Sequence, residues 1–438
     1  MNYINNKKIW NAWSMYDWAN SVHNLVITTV IFPMYYHATA IGKDGGNMVE
    51  FFGFEVNNNS LYSYSISAAA LLLVFLSPIL TSIADYSGRR KFFMKFFCYL
   101  GSFSVMYFYF FTKGNLNNTM IAFALSIVGW GGSVVFYNSF IPQIATEENY
   151  DKLSARGFVF GYIGSVILLI FNLLIILKPE FFGLSKADTE SGLTSRISFL
   201  TVGIWWVVFA QIPFYFLPKD RSKPFEAKWI KLGIKELKKV IIEIKSNRLL
   251  TKFLTAYFTY YLGVMTVIYV ATLFAQDELK IPRDGLIATL LLIQLVAIPG
   301  SYLASYLSRL FGNSIALRIE VLIWLLVPIG AYFTTTAEQF YVIAAMVGLV
   351  MGGIQSLSRS TFAKLIPEDI SHTASYFSFY DILEKGSITA GTFIFGLINA
   401  LTGSMRNSIL FLVVVFALGF LLLLRLPSKH VYHQGRNE

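Results

Sequence analysis

The sequence predicts an all-α integral membrane protein with twelve transmembrane helices in two six-helix halves. Three observations predict it. Of 438 residues, 55% are hydrophobic and 14% charged, and the mean hydropathy is +0.57, far from the balance of soluble globular chains. Apolar runs of about 20 residues, long enough to cross roughly 30 Å of hydrocarbon as a helix rising about 1.5 Å per residue, recur along the whole chain. A charged stretch at residues 218–252 divides those runs six and six.

The runs fall at 15–38, 60–84, 92–112, 119–141, 156–177 and 198–217, then at 253–275, 285–308, 315–335, 339–363, 374–399 and 407–426. Barrel strands would be about ten residues long with alternating polarity, and these runs are longer and unbroken. The expected organisation is an N-terminal six-helix bundle (1–217), a cytosolic linker (218–252), and a C-terminal six-helix bundle with a short tail (253–438). With the N-terminus inside, 26 Lys and Arg fall on the cytosolic side and 8 on the other, with Lys385 left inside a span. The positive-inside rule then places both termini in the cytosol. The net charge of +10 is thereby explained as topology, and no aromatic-basic motif points to nucleic acid.

Within the linker, EAKWIKLGIKELKKVIIEIKSN sets Ile230, Ile234, Leu237, Ile241 and Ile244 on one helical face with lysines opposite, a pattern suited to the surface of an anionic leaflet. A partner-binding helix is the other reading. The two halves share a faint repeat: TSIADYSGRRK (81–91) and SYLSRLFGNSI (305–315) each place a small residue seven positions before a glycine, Thr81 with Gly88 and Ser305 with Gly312. Parallel repeats of this kind build one large class of transporters. The first dozen residues, MNYINNKKIWNA, lack the apolar core and cleavage site of a signal peptide. Cys98 is the one cysteine, so a disulfide framework and a Cys-based metal site are both excluded. Walker, HExxH and GxSxG patterns are missing and the five histidines are scattered, so neither an enzyme nor a bound metal or cofactor is expected.

Polar residues inside the spans carry the functional signal. In WSMYDWANSVHN (13–24), Asp17, Asn20, Ser21, Asn24 and, further on, Thr28 fall at offsets of zero, three, four, seven and eleven, one stripe of a helix that must face protein or water. A carboxylate in the first helical turn is also favourable by itself. In YFSFYDILEKGSITAG (376–391), Asp381, Glu384 and Lys385 sit two to three turns inside the eleventh span, where an isolated charge costs at least about 2.5 to 3.5 kcal/mol. Asp381 and Lys385 are four apart with the acid first, the favourable order for a pair. The surplus acid admits either a proton-coupling role or a static ion pair that orders the bundle. In the tenth span Gln355 and Arg359 share a face, with Gly352 and Gly353 allowing close helix contact. Arg359 either snorkels or meets an anionic solute group. Tyr137, Asn138 and Gln143 lie on the fourth span, and Gly157, Gly161 and Gly164 on the fifth read as packing devices.

TSIADYSGRRK resembles the loop signature of the major facilitator superfamily, through Thr81, Asp85, Gly88, Arg89 and Arg90. Thr81 stands where that family has glycine, and the second copy carries Arg309 at the acid's position. YDWANS (16–21), NSFIPQIA (138–145), SARGFVFGYIGS (154–165), GGIQSLSRSTFAKLIP (352–367) and FSFYDILEKGS (377–387) resemble the branch containing the fungal autophagy-related vacuolar amino-acid effluxers and their bacterial relatives. The resemblance implies a central cavity between two rocking halves, lined by the first, fourth, seventh and tenth spans. It thereby brings Asp17, Asn20, Asn24, Asn138, Gln355 and Arg359 together as cavity residues. The seventh span offers Thr255, Thr259, Leu262 and Thr266, with Leu262 where relatives have a polar or acidic residue. Asp381, Glu384 and Lys385 are expected to serve coupling or gating, and Asp85, Arg89 and Arg90 the cytosolic gate loop.

The function expected is secondary active transport of small polar solutes, amino acids among them, by efflux or exchange through alternating access, with protons as one coupling option. The alternative is a transporter-fold receptor or scaffold that binds solute without moving it. The expected setting is a bacterial inner membrane, with lipids as partners and the chain a monomer.

Overall fold

The computed structural model describes residues 3–42, 45–220, 229–367 and 372–427. All twelve expected spans form as helices. After the first span come Asn58–Ser87, Arg90–Tyr107, Leu116–Asn138, Tyr150–Leu177 and Leu193–Phe216 as the second to sixth. Arg248–Asp277, Arg283–Phe311, Asn313–Phe333, Ala337–Leu365, Thr373–Thr402 and Met405–Leu423 are the seventh to twelfth. Several outrun the apolar window because a helix continues through polar turns once its hydrogen-bond ladder is started. Among the described residues, nine helices are long and apolar enough by composition to cross a membrane. The other three have identifiable reasons. The first is divided, the third is 18 residues long and opens on Arg90, Lys91 and Lys95, and the eleventh holds Asp381, Glu384 and Lys385.

The first span is the main surprise. It runs as an α-helix over Lys7–Val22, as a π-helix over His23–Ile31, and as an α-helix again over Phe32–Thr39. Two threonines fit the wider turn: Thr28 Oγ1 donates to the His23 carbonyl at 3.4 Å and Thr29 Oγ1 to that of Asn24 at 2.8 Å, each five residues back. Between the first and second spans a hairpin pairs Met48–Phe51 with Phe54–Asn57. Its two-residue turn holds Phe52 at φ 48° and Gly53 at φ 84°, both positive as a type I′ turn requires.

By packing, the chain divides into two compact units. One comprises Met1–Asn6, Ile141–Val159 and Ile234–Glu438, the other Lys7–Phe140 and Phe160–Gly233. In the second, the third span packs on the fourth so closely that a Cβ on Gly129 would fall 2.3 Å from the Gly101 nitrogen. The same span supports the sixth, and the first also lies on the sixth. In the other unit the eighth span pairs with the tenth, where a Cβ on Gly300 would fall 2.0 Å from the Leu349 carbonyl. The ninth span lies against the twelfth, and the seventh against the eleventh and twelfth. Small residues permit this backbone proximity, which dispersion then rewards.

The linker helix forms over Trp229–Ser246. Its covered edge differs from the expected face. Val240 and Ile244 are buried and Leu237 and Ile241 half-buried, whereas Ile234 is exposed, and Ile230's side chain lies outside the described residues. Glu243 explains the shift: its carboxylate accepts the Tyr376 hydroxyl at 2.6 Å, so the helix docks by its C-terminal turns.

Candidate functional site

In the unit containing the first span, Asp17 accepts the hydroxyl of Tyr137 at 2.8 Å. Tyr137 is fixed from the other side by Trp13, whose ring stacks on it at 4.3 Å and whose Nε1 donates to its carbonyl at 3.1 Å. Burial varies along the polar stripe expected from α-helical spacing. Asp17 and Asn20 are buried, at 7% and 2% exposed, while Asn24 is exposed and Thr28 half-buried. The π segment over His23–Ile31 has a wider turn than the α-helical residues before it, so the α-helical register is lost progressively toward Thr28. Asn20 keeps a buried Nδ2 with no hydrogen-bond partner. Asn138, the neighbour of Tyr137, is buried at 8% exposed. Glycines of the fifth span take the packing role: a Cβ on Gly161 would meet Ser21 Oγ at 2.4 Å, and one on Gly164 the Trp18 carbonyl at 2.8 Å.

The loop between the second and third spans brings Asp85 and Arg90 into an ion pair. Gly88 closes the second span at φ 68°, a left-handed turn that glycine adopts without a Cβ penalty. Arg89 stands just before the third span and its amide donates to the Ala84 carbonyl at 3.0 Å. Sequence reasoning overlooked Lys91. Its Nζ donates to the carbonyls of Phe214 and Leu217 at 3.1 and 2.5 Å, while Asp220 accepts the amides of Lys91 and Phe92, both at 2.9 Å. Each helix end is thus capped by a charge of the sign its dipole favours.

In the other unit, Lys385 and Asp381 form the ion pair that their spacing suggested. The second carboxylate oxygen of Asp381 is buried without a hydrogen-bond partner. Glu384 accepts the Tyr257 hydroxyl at 3.5 Å, and Tyr257 stacks on Tyr380 at 4.4 Å. Along the seventh span Thr255 is exposed, Thr259 partly so, and Leu262 and Thr266 are buried.

Arg359 neither snorkels nor stands open to a solute in this conformation. It is 4% exposed, donates to Ser154 Oγ at 2.9 Å and to the Ser154 carbonyl at 2.8 Å, and lies over the Phe158 ring at 4.2 Å. Gln355, one turn away, is half-buried. Close by in sequence is a network that helical spacing gave no reason to expect. Asp151 accepts from Lys364 at 2.6 Å, Ser308 at 2.9 Å and Asn313 at 2.8 Å, and Lys364 also donates to Asn313 at 2.7 Å. Asp151 and Lys364 are 7% and 3% exposed. Their separation of 213 positions left no signal in local periodicity.

The family profile described as "Vacuole effluxer Atg22 like" matches residues 5–435. The MFS-type transporter YxiO of Bacillus subtilis is 32% identical over 430 residues, covering 96% of this chain and 95% of its own. Autophagy-related protein 22-1 of Penicillium rubens is 25% identical over 466 residues, covering 85% and 76%. Among solved structures, the E. coli fucose:proton symporter FucP superposes with a TM-score of 0.67 at 15% identity over 95% of this chain and 97% of that one. The proton:xylose symporter XylE gives 0.69 at 11% over 97% and 96%. At such identities the structural likeness is one of fold. With the profile matched over residues 5–435 and the Bacillus transporter 32% identical, the chain belongs to the Atg22-like family of the major facilitator superfamily, and is a multi-pass membrane transporter.

Proposed function

We propose that this transporter moves small polar solutes, amino acids among them, by efflux or exchange through alternating access, with protons as the coupling ion. The observation that carries the coupling is the trio inside the eleventh span: Asp381 paired with Lys385 by one oxygen, its other oxygen unpartnered, and Glu384 three residues on. Two acids against one base at that depth are costly to keep ionised, so a proton that comes and goes there has a use. Asp17, Asn20, Asn24 and Asn138 in one unit, and Gln355 and Arg359 in the other, are the solute-binding residues in this reading. Arg359 first has to leave Ser154. Asp85, Arg89 and Arg90 form the gate loop, and the description of the matching family as effluxers supports outward transport. The excess of Lys and Arg on one side supports cytosolic termini, and the Bacillus relative supports a bacterial inner membrane, with the chain acting as a monomer among lipids.

The test is uptake of a mixture of labelled amino acids into proteoliposomes, with and without an imposed pH gradient. Gradient-dependent accumulation is expected, together with loss of its pH dependence in Asp381→Asn. Unchanged pH dependence in that variant removes Asp381 from coupling. No flux above empty liposomes with folded protein overturns transport of these solutes and favours a solute receptor.

A further inference from the structure

Glu320 lies on the ninth span, apart from the solute, coupling and gate residues. It is 4% exposed, its Oε2 is buried with no hydrogen-bond partner, and among the described residues the carboxyl takes part in no ion pair. The space it occupies is made by a glycine. A Cβ on Gly353 of the tenth span would fall 2.3 Å from Oε1 and 2.7 Å from Cδ, and 2.9 Å from Ala304 Cβ of the eighth. The carboxyl therefore fills a notch in the tenth span, walled by the eighth.

The helices packed against the ninth span are the eighth, tenth and twelfth, and their described charged groups are engaged elsewhere. On the tenth, Arg359 is held by Ser154 and Lys364 by Asp151 and Asn313, while Glu338 stands in the far first turn. On the eighth, Arg309 lies over Tyr306, and Asp284 is in the first turn. On the twelfth, Arg406 reaches the carbonyls of Tyr332 and Thr334. On the ninth itself, Arg318 donates to the carbonyls of Leu423 and Leu426. None is paired with Glu320. An ionised carboxylate with neither cation nor donor is strongly disfavoured in such a place, whereas the neutral acid is tolerated.

We propose that Glu320 is a proton-binding site that holds its proton in this conformation and releases it to water when the ninth and tenth spans part. Loss of the proton leaves a carboxylate that the Gly353 notch cannot keep, so the charge favours a separated packing. Return of the proton restores the closed one. Gln355 and Arg359 lie two and six residues beyond Gly353 on the same helix, so the notch is placed to bias their position. The proton site stands on geometry alone, while its coupling role rests on the transport reading.

Infrared difference spectroscopy of the full-length protein in lipid tests the site directly. At neutral pH a protonated-carboxyl carbonyl absorption is expected in the wild type, lost in Glu320→Gln and kept in Asp381→Asn and Glu384→Gln. An unchanged carboxyl region in folded Glu320→Gln overturns the proposal. Should that variant fail to fold, the wild type alone decides, because absence of any protonated-carboxyl absorption at neutral pH overturns it equally. In proteoliposomes, Glu320→Gln is expected to abolish gradient-driven accumulation. Retained accumulation removes the coupling role, whereas an inactive wild type removes the transport reading and leaves the infrared result standing.

Discussion

Two buried acids in one packing unit, Asp151 and Asp381, meet their lysines in different ways. Asp151 has both oxygens occupied, by Lys364, Ser308 and Asn313, and its lysine shares Asn313 in turn. Asp381 has Lys385 on one oxygen and nothing on the other. A complete network stabilises one arrangement and resists change; an incomplete one leaves a group whose protonation alters its surroundings. Charge buried within a helical bundle is therefore not one kind of signal. A satisfied second oxygen suits a holding role, and an unsatisfied one suits the responsive role proposed for Asp381.

The largest effect is expected where the network is complete. Lys364→Met strands Asp151 as a buried charge and should lower stability by about 3 to 5 kcal/mol, read as a drop in thermal unfolding temperature in detergent. Adding Asp151→Asn should restore much of the loss, since both charges are then gone; no recovery would show that the pair is not coupled.

A smaller effect is expected at Asp17. Tyr137→Phe keeps the ring on Trp13 but removes the hydroxyl that Asp17 accepts, at a cost of about 1 to 2 kcal/mol. A change within error in the same unfolding measurement would mean that Asp17 finds another donor.

The smallest effect on stability, and the sharpest on geometry, comes from single cysteines in a Cys98→Ser background. Asn24→Cys should react with a water-soluble thiol reagent and Asn20→Cys should be protected, as their exposed and buried positions require. Addition of a transported solute should change the Asn20→Cys rate if the first span lines the solute path. Protection of both positions under every condition would remove this span from the cavity.

Much of the fold was legible in advance because span length and hydropathy are local. Each of the twelve helices overlaps an apolar run of the sequence. The pair Asp381 and Lys385 was legible for the same reason, four residues apart on one helix, as was the glycine turn at Gly88. Local reading failed where helix pitch changed. A periodicity of 3.6 carried the stripe from Asp17 through to Thr28, and the π segment over His23–Ile31 does not keep that pitch. It failed again at Arg359, which helical spacing could assign to a face but not to Ser154, 205 positions away.

The sequence by itself determined that this chain crosses a membrane many times, roughly where each span lies, and which family motifs it carries. These depend on composition and on neighbours within a few turns. Tertiary structure decided that Tyr137 meets Asp17, that Lys364 completes Asp151, and that Gly353 leaves room for Glu320. A helical period specifies which side chains share a face, but the partner of that face is chosen by packing, where a missing Cβ or an unpaired oxygen acquires meaning only from the helix opposite.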